Sequence, residues 1–471
     1  MRRQVIAAAM VLLVAGCTSD KAPVKPTPGE PTPGKPTPAA GEPGAAGIGD
    51  PYFPTSGNGG YDVGGYDLKL RYDPKTGQLG GAATITATAT QDLSSFNLDL
   101  SGLTASAVTV DGAPARHAAK GAELVVTPGT AIARTARFTA VVEYAGTPGR
   151  LGDGGWLRTP DGGFVLGQPE SASAWFPVND HPADKATFRL AMTVPDGVEA
   201  ISNGVPGERP SAGGWTTWTW SEAAPLASYL SFVAIGQYRV ESGTHNGKPM
   251  VIAIPETLPA DGPAAKSLGR TAEVADFLAT QFGPYPFDAY GGVVLDDERV
   301  RYALETQSRP VYGGTFFAGG QNSGVVAHEL AHQWFGDSVA LERWEDIWLN
   351  EGFATYAEWL WAEHQGQTTA QALFDRRYDG FDWAEPPGRP GAEGIFGTPV
   401  YERGGMTVHA LRRTIGDEAF FGLLKSWPAE HKDGNATTAD FIAAAEKAAG
   451  GKDLAKFFQD WLYGTAQPPR P

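Results

Sequence analysis

The sequence predicts a multidomain α+β protein with a β-rich N-terminal half and a helical C-terminal half. Three observations carry that reading. The chain has 471 residues, 42% of them hydrophobic and 19% charged, an ordinary globular balance with length for two or three domains. Between residues 50 and 240, segments such as YDLKLRYD, AATITATAT, ARFTAVVEY, ATFRLAMTV and YLSFVAIGQY carry alternating or β-branched apolar residues, separated by Gly, Pro and Asp clusters. That pattern predicts a large antiparallel, sandwich-like domain. Beyond residue 241 the apolar spacing becomes helical.

The first elements are targeting and tether segments. Met1-Arg2-Arg3 and the apolar run 5–15 form a leader too short to span a bilayer. Residues 1–16 read as a lipoprotein signal peptide, because Val14-Ala15-Gly16-Cys17 resembles a bacterial lipobox. Cys17 is the expected lipidation site; a plainly cleaved signal is the alternative. It is the only cysteine, so no internal disulfide is available. Residues 17–49, rich in Pro, Gly and Thr, read as a disordered tether with no secondary structure. Together these predict export, a membrane contact through the lipid anchor alone, and an extracytoplasmic body. The net charge of −16, from 53 acidic and 37 basic residues, argues against a nucleic-acid partner.

In the second half (241–471), residues 264–282 predict a helix ended by GPYP. GGVVLDD predicts a strand, and ALETQSRPVY an edge strand with its loop. Helices are expected near 369–378, 403–414, 418–425, 438–449 and 454–462. The result is a small sheet leading into a helical bundle, with a cleft between sheet edge and bundle.

The chemistry concentrates in VVAHELAHQWFG and WEDIWLNEGFATYAEWLW. His328 and His332 stand one helical turn apart on one face, so both imidazoles can reach a single cation. Glu329 points about 100° away, placed to act as a base on water beside the metal. Eighteen residues separate His332 from Glu351, enough for one helix capped by Asn322 or Ser323 and closed near Gly336, a loop, and a second helix from about Asp346. Two histidines and a glutamate leave a coordination position open, which marks a catalytic rather than a structural zinc. Asp346 reads either as an acid orienting a ligand histidine or as a helix N-terminal acid.

HELAHQWFGD with WLNEGFATYAE resembles the gluzincin zinc aminopeptidases, the group of membrane alanyl aminopeptidase and leukotriene hydrolase. DPYFPTSGNGGYDV, WFPVNDHPADKATF, FGPYPFDAY and YERGGMTVHALRRTIGDEAFF extend the resemblance from about residue 50 to the C-terminus. It implies a thermolysin-like zinc peptidase domain, one Zn2+ per chain on His328, His332 and Glu351, and Glu329 as general base. Tyr401 is implied as the phenol that hydrogen-bonds the oxyanion; otherwise it is a half-buried aromatic. Glu305, in YALET, is implied as the acid that receives the substrate's free amine. Gln168 and Glu170 match a second amine-binding loop; a solvated loop carboxylate is the alternative reading of Glu170.

The chain departs from the family at Tyr302, Leu304 and Thr306 of YALET, and at Asp337, where Asn is common. A further C-terminal helical domain is also expected to be missing, which would leave the cleft more open. The implied function is removal of N-terminal residues from peptides. A zinc endopeptidase and a non-catalytic zinc-containing surface lipoprotein stay open as alternatives.

Overall fold

The computed structural model describes residues 41–471. The leader, Cys17 and residues 17–40 of the expected tether lie outside the described residues.

The N-terminal half is built on a nine-stranded sheet. It runs from Val205–Pro206 through Trp215–Ala227, Lys185–Pro195, Tyr61–Asp73, Gln78–Ala89, Arg137–Gly146 and Thr104–Val110 to Ala113–Pro114, with Ser211–Ala212 paired to one side. Strict alternation makes one face apolar: Leu68, Leu70, Tyr72, Phe188, Leu190 and Met192 are all buried. A four-stranded and a five-stranded sheet complete this half, in keeping with the expected β-rich layers. The expectation of an antiparallel domain needs one correction. Tyr61–Asp73 and Lys185–Pro195 pair in parallel, because the chain builds several other strands before returning to that edge.

Two expected boundaries also move. Glu42–Pro43 pairs in parallel with Leu93–Asp99, and Asn97 Nδ2 donates to the Gly44 carbonyl at 3.1 Å. The last part of the tether is therefore bound, because its unpaired backbone groups find partners on an open sheet edge. The boundary at 240/241 falls inside the strand Tyr238–His245, which already belongs to the second half.

That second half opens with a five-stranded sheet in the order Tyr238–His245, Lys248–Pro255, Tyr290–Leu295, Val311–Gly313, Ala303–Leu304. Ala303–Leu304, from the YALET segment, is the edge. The helix expected over 264–282 is two helices, Pro263–Leu268 and Thr271–Phe282, interrupted at Gly269 and Arg270. The remaining helices are Ser323–Ala331, Trp348–His364, Ala370–Tyr378, Gly404–Ile415, Asp417–Glu430, Thr438–Ala448 and Ala455–Phe458. Asp417–Glu430 outruns its expected end, since Leu423, Leu424 and Trp427 keep one face buried. No described helix is long and apolar enough to cross a membrane.

Two glycine contacts position the site. At Gly352 and Gly404 the helices Trp348–His364 and Gly404–Ile415 cross so closely that a Cβ on either would lie 2.9–3.0 Å from the other's backbone. Only glycine allows that approach. Gly336, at φ +133°, turns the chain after the first motif helix where a Cβ would press on Asn350 and His332.

Candidate metal centre and substrate pocket

Asn322 caps the helix Ser323–Ala331, its side chain accepting from Val325 N at 3.2 Å. Such a cap contributes about 1 kcal/mol. The helix carries His328 and Glu329, and His332 stands at its C-cap, still helical at φ −58° and ψ −25°. A 3-10 turn, Trp344–Asp346, leads into Trp348–His364, which presents Glu351.

These side chains converge. Glu351 Oε2 lies 3.3 Å from His328 Nε2 and 3.5 Å from His332 Nε2. Ligand atoms of all three fall within 4.8 Å of one another. Each imidazole is fixed through its other nitrogen. His328 Nδ1 is 2.7 Å from Glu358 Oε1, and His332 Nδ1 is 3.0 Å from the Phe335 carbonyl. Those partners leave both Nε2 atoms facing Glu351. Asp346 does not touch either histidine; it stands in the 3-10 turn before Trp348–His364 and accepts from Thr438 N at 3.2 Å, an acid at helix N-termini that ties in Thr438–Ala448.

Beside this triad, Glu329 and Glu305 lie with His332 in a second tight group, and both are almost fully buried. Among the described residues Glu329 receives no side-chain hydrogen bond. Burial, reinforced by Glu305 and Glu351 against the pull of the two imidazoles, pushes its carboxyl up to about 8. Burial lowers the His332 pKa, but the charges of Glu305 and Glu351 outweigh it and bring the ring to about 9. Burial likewise resists ionisation of Glu351, and the charge of His332 with the two histidine hydrogen bonds overcomes it, to about 2. Three carboxyl groups thus pack around two imidazoles in a low dielectric. One N, N, O set among them fits a divalent zinc ion in type and spacing.

Glu305 follows the edge strand Ala303–Leu304. Its Oε1 accepts from Tyr229 Oη at 2.9 Å and from Gln168 Nε2 at 3.3 Å, and Gln333 Nε2 holds its backbone carbonyl at 2.9 Å. Gln168 thus meets Glu305 across the two halves of the chain. Glu170 does not line the pocket with it; its charge instead bears on Asp180, Asp99 and Glu123 inside the β half.

Tyr401 stands in the π-helical turn Pro399–Arg403, half-buried, its ring 6.2 Å from and nearly parallel to that of His328. Burial, with Glu351, Glu305 and Glu329 nearby, raises its phenol well above the ordinary value, so it remains a neutral hydrogen-bond donor. The close Gly352–Gly404 crossing delivers this turn to the pocket. Arg403 locks it, fully buried and donating to the carbonyls of Trp461, Trp383, Glu385, Asp460 and Gly464 at 2.7–3.2 Å. The roles of Tyr229, Glu358 and Arg403 escape sequence reasoning; their partners lie between 18 and 76 positions away. Asp337 is buried, and among the described residues neither carboxylate oxygen has a hydrogen-bond partner.

The metal triad, Glu329, Glu305, Gln168 and Tyr401 line one cavity of about 320 Å³.

Comparison with known proteins adds to this geometry. Residues 267–461 match the peptidase family M1 domain and residues 64–230 the peptidase M1 N-terminal domain. An M1 zinc metallopeptidase from Deinococcus radiodurans is 32% identical, with a TM-score of 0.82 over 90% of this chain and 98% of its own. A mutant of it bound to Tyr-Ser-Ala substrate superposes with the same TM-score, 90% of this chain and 99% of that one aligned. Aminopeptidase M1 of Arabidopsis thaliana is 29% identical over 64% of this chain and 36% of its own length. Probable aminopeptidase 2 of Sulfurisphaera tokodaii is 27% identical over 71% of this chain and 46% of its own. The chain therefore spans less than half of these two curated relatives.

Proposed function

The chain belongs to the peptidase M1 family of zinc metallopeptidases, and from that premise we propose that it is a zinc-dependent aminopeptidase cleaving the first peptide bond of peptides with a free N-terminus. One observation carries the exopeptidase part of this reading. Glu305 faces the same cavity as the metal triad, and among the described residues the side-chain hydrogen bonds its carboxylate accepts come from the neutral donors Tyr229 and Gln168. A buried acid held in that way is suited to an incoming ammonium.

His328, His332 and Glu351 would hold the zinc ion. When bound, zinc supplies a Lewis acid that polarises the scissile carbonyl and makes water acidic enough to attack near neutral pH. The remaining work falls to this chain's side chains. Glu305 fixes the α-amine and so sets which peptide bond reaches the triad. Glu329, with no competing hydrogen bond, takes a proton from water and returns it to the departing amine. Tyr401, kept neutral, donates to the oxygen that gains charge. Gln168 and Tyr229 keep Glu305 in place, and Glu358 and the Phe335 carbonyl orient the two imidazoles. The tripeptide held by the Deinococcus relative supports short peptides as a substrate class.

A panel of fluorogenic aminoacyl amides, with and without a chelator and with zinc restored, tests this proposal. Matched N-acetylated compounds complete it. Cleavage that needs zinc and a free amine is the expected result. Equal cleavage of blocked and free substrates would establish an endopeptidase instead.

We also propose, from residues 1–17 alone, export and lipid attachment at Cys17, with the catalytic body held outside the cytoplasm. Cys17→Ser should release the protein from the membrane fraction; unchanged partitioning would rule the anchor out.

A further inference from the structure

The pocket's charge is lopsided in a way the hydrolytic machinery does not use. Glu305, Glu329, Glu351 and Glu358 all line it, and Arg301 is the single guanidinium or ammonium group among the described lining residues. Arg301 is exposed at the cavity mouth. Its one side-chain hydrogen bond, from Nε to the Glu298 carbonyl, is 3.3 Å long. Among the described residues no carboxylate sits within ion-pair distance of it. In a chain of net charge −16, an unpaired arginine at an acidic mouth is conspicuous.

Its place next to the sheet edge says what it can meet. Arg301 and Glu305 flank Ala303–Leu304, the edge strand, and Tyr302 and Ala303 line the cavity. An open strand edge binds an extended peptide by backbone pairing. At about 3.3 Å per extended residue, Arg301 lies at most roughly 13 Å along the chain from Glu305, and the bend at Tyr302 shortens that distance. A peptide pinned by its amine at Glu305 and laid along this edge carries the end of its third residue about 10 Å away, and the long arginine side chain spans the remainder.

We propose that Arg301 is a specificity-determining residue that receives a carboxylate about three residues from the substrate's free amine. That carboxylate is either the C-terminus of a tripeptide or an acidic side chain at the third position. The proposal rests on the aminopeptidase reading above and narrows its substrate class to short or acidic peptides. Guanidinium suits the task because its planar donor fork matches a carboxylate. The contact is remote from the reacting bond and equal in ground and transition states, so it acts through KM rather than kcat.

The test uses the full chain with zinc and three peptides: Ala-Ala-Ala as free acid, Ala-Ala-Ala as C-terminal amide, and Ala-Ala-Asp as amide. Wild type should cleave the first, the third or both with kcat/KM about fivefold above the plain amide, the gain lying in KM. Which of them is favoured identifies the source of the carboxylate. The preference should shrink at 0.5 M salt, as for any solvent-exposed pair. Arg301→Gln should bring the ratio close to one, and Arg301→Lys should keep part of it. No preference in wild type, or a preference that survives Arg301→Gln, overturns the proposal while leaving the aminopeptidase reading intact. Release of no alanine from any of the three would overturn that underlying reading itself.

Discussion

Buried carboxylates inside the β half and around the pocket face the same cost of burial but differ in what surrounds them. In the β half Asp180, Asp99 and Asp50 are answered from within. Asp180 accepts from Ser173 N at 3.0 Å and Ser228 Oγ at 2.8 Å; Asp99 accepts from Asn58 Nδ2 at 3.0 Å and Asp180 N at 2.8 Å. Asp50 accepts from Tyr52, Phe53 and Trp344 backbone amides and lies 3.2 Å from His181 Nε2. It thereby ties residue 50 to the turn before the Glu351 helix. Around the pocket, among the described residues, Glu329 receives no side-chain hydrogen bond, and Glu305 takes its two from Tyr229 and Gln168. The first group is enclosed by the fold, whereas Glu329 and Glu305 face a cavity where a metal ion and an amine can bind. Substitutions in the two regions should therefore separate stability from catalysis.

The largest separation is expected at Glu329. Glu329→Gln should lower kcat by about 10²–10⁴-fold, with zinc content and melting temperature close to wild type. A variant that turns over normally would remove the proposed base. Tyr401→Phe comes next, with a kcat loss of about 10²-fold and little change in KM. A loss confined to KM would instead make the phenol a ground-state contact. Glu305→Gln should erode discrimination between free and N-acetylated substrates by roughly thirtyfold, the equivalent of about 2 kcal/mol. Retained discrimination would place amine recognition elsewhere.

The opposite behaviour is expected at Asp50. Burial raises its pKa, but the hydrogen bonds of His181 and the Trp344, Phe53 and Tyr52 amides outweigh it and hold the carboxyl at about 2. With the folded value below the unfolded one, the stabilisation is present above about pH 4 and drains away as pH falls toward 2. Asp50→Asn should cost about 1–2 kcal/mol in denaturant melts at pH 7. The gap to wild type should close at low pH, and kcat per folded molecule should be preserved. A pH-independent gap would mean that lost packing, not the charge, explains the variant.

The contrast also explains what could be read in advance. His328, Glu329 and His332 were legible because helix periodicity places them on adjoining faces. Glu351 was legible because its separation from His332 fits a second packed helix. Glu305, Gln168 and Tyr401 entered through motif resemblance, since nothing local to YALET or VYERGG demands chemistry. Tyr229 was hidden inside a segment read as a strand, and its partner Glu305 is 76 positions away. Arg403 was hidden for a related reason: its burial depends on five carbonyls that assemble only in the folded bundle. The parallel pairing of Tyr61–Asp73 with Lys185–Pro195 was equally invisible, because alternation reports a strand's face and not its neighbour's direction.

The central claim is that His328, His332 and Glu351 close on one zinc ion in a pocket whose other acids are left for substrate. Elemental analysis of the purified protein, with His332→Ala and Glu329→Gln alongside, addresses it most directly. Wild type and Glu329→Gln should each carry about one zinc per chain, and His332→Ala should carry almost none. Wild-type protein without a stoichiometric transition metal, or His332→Ala retaining it in full, would contradict the account.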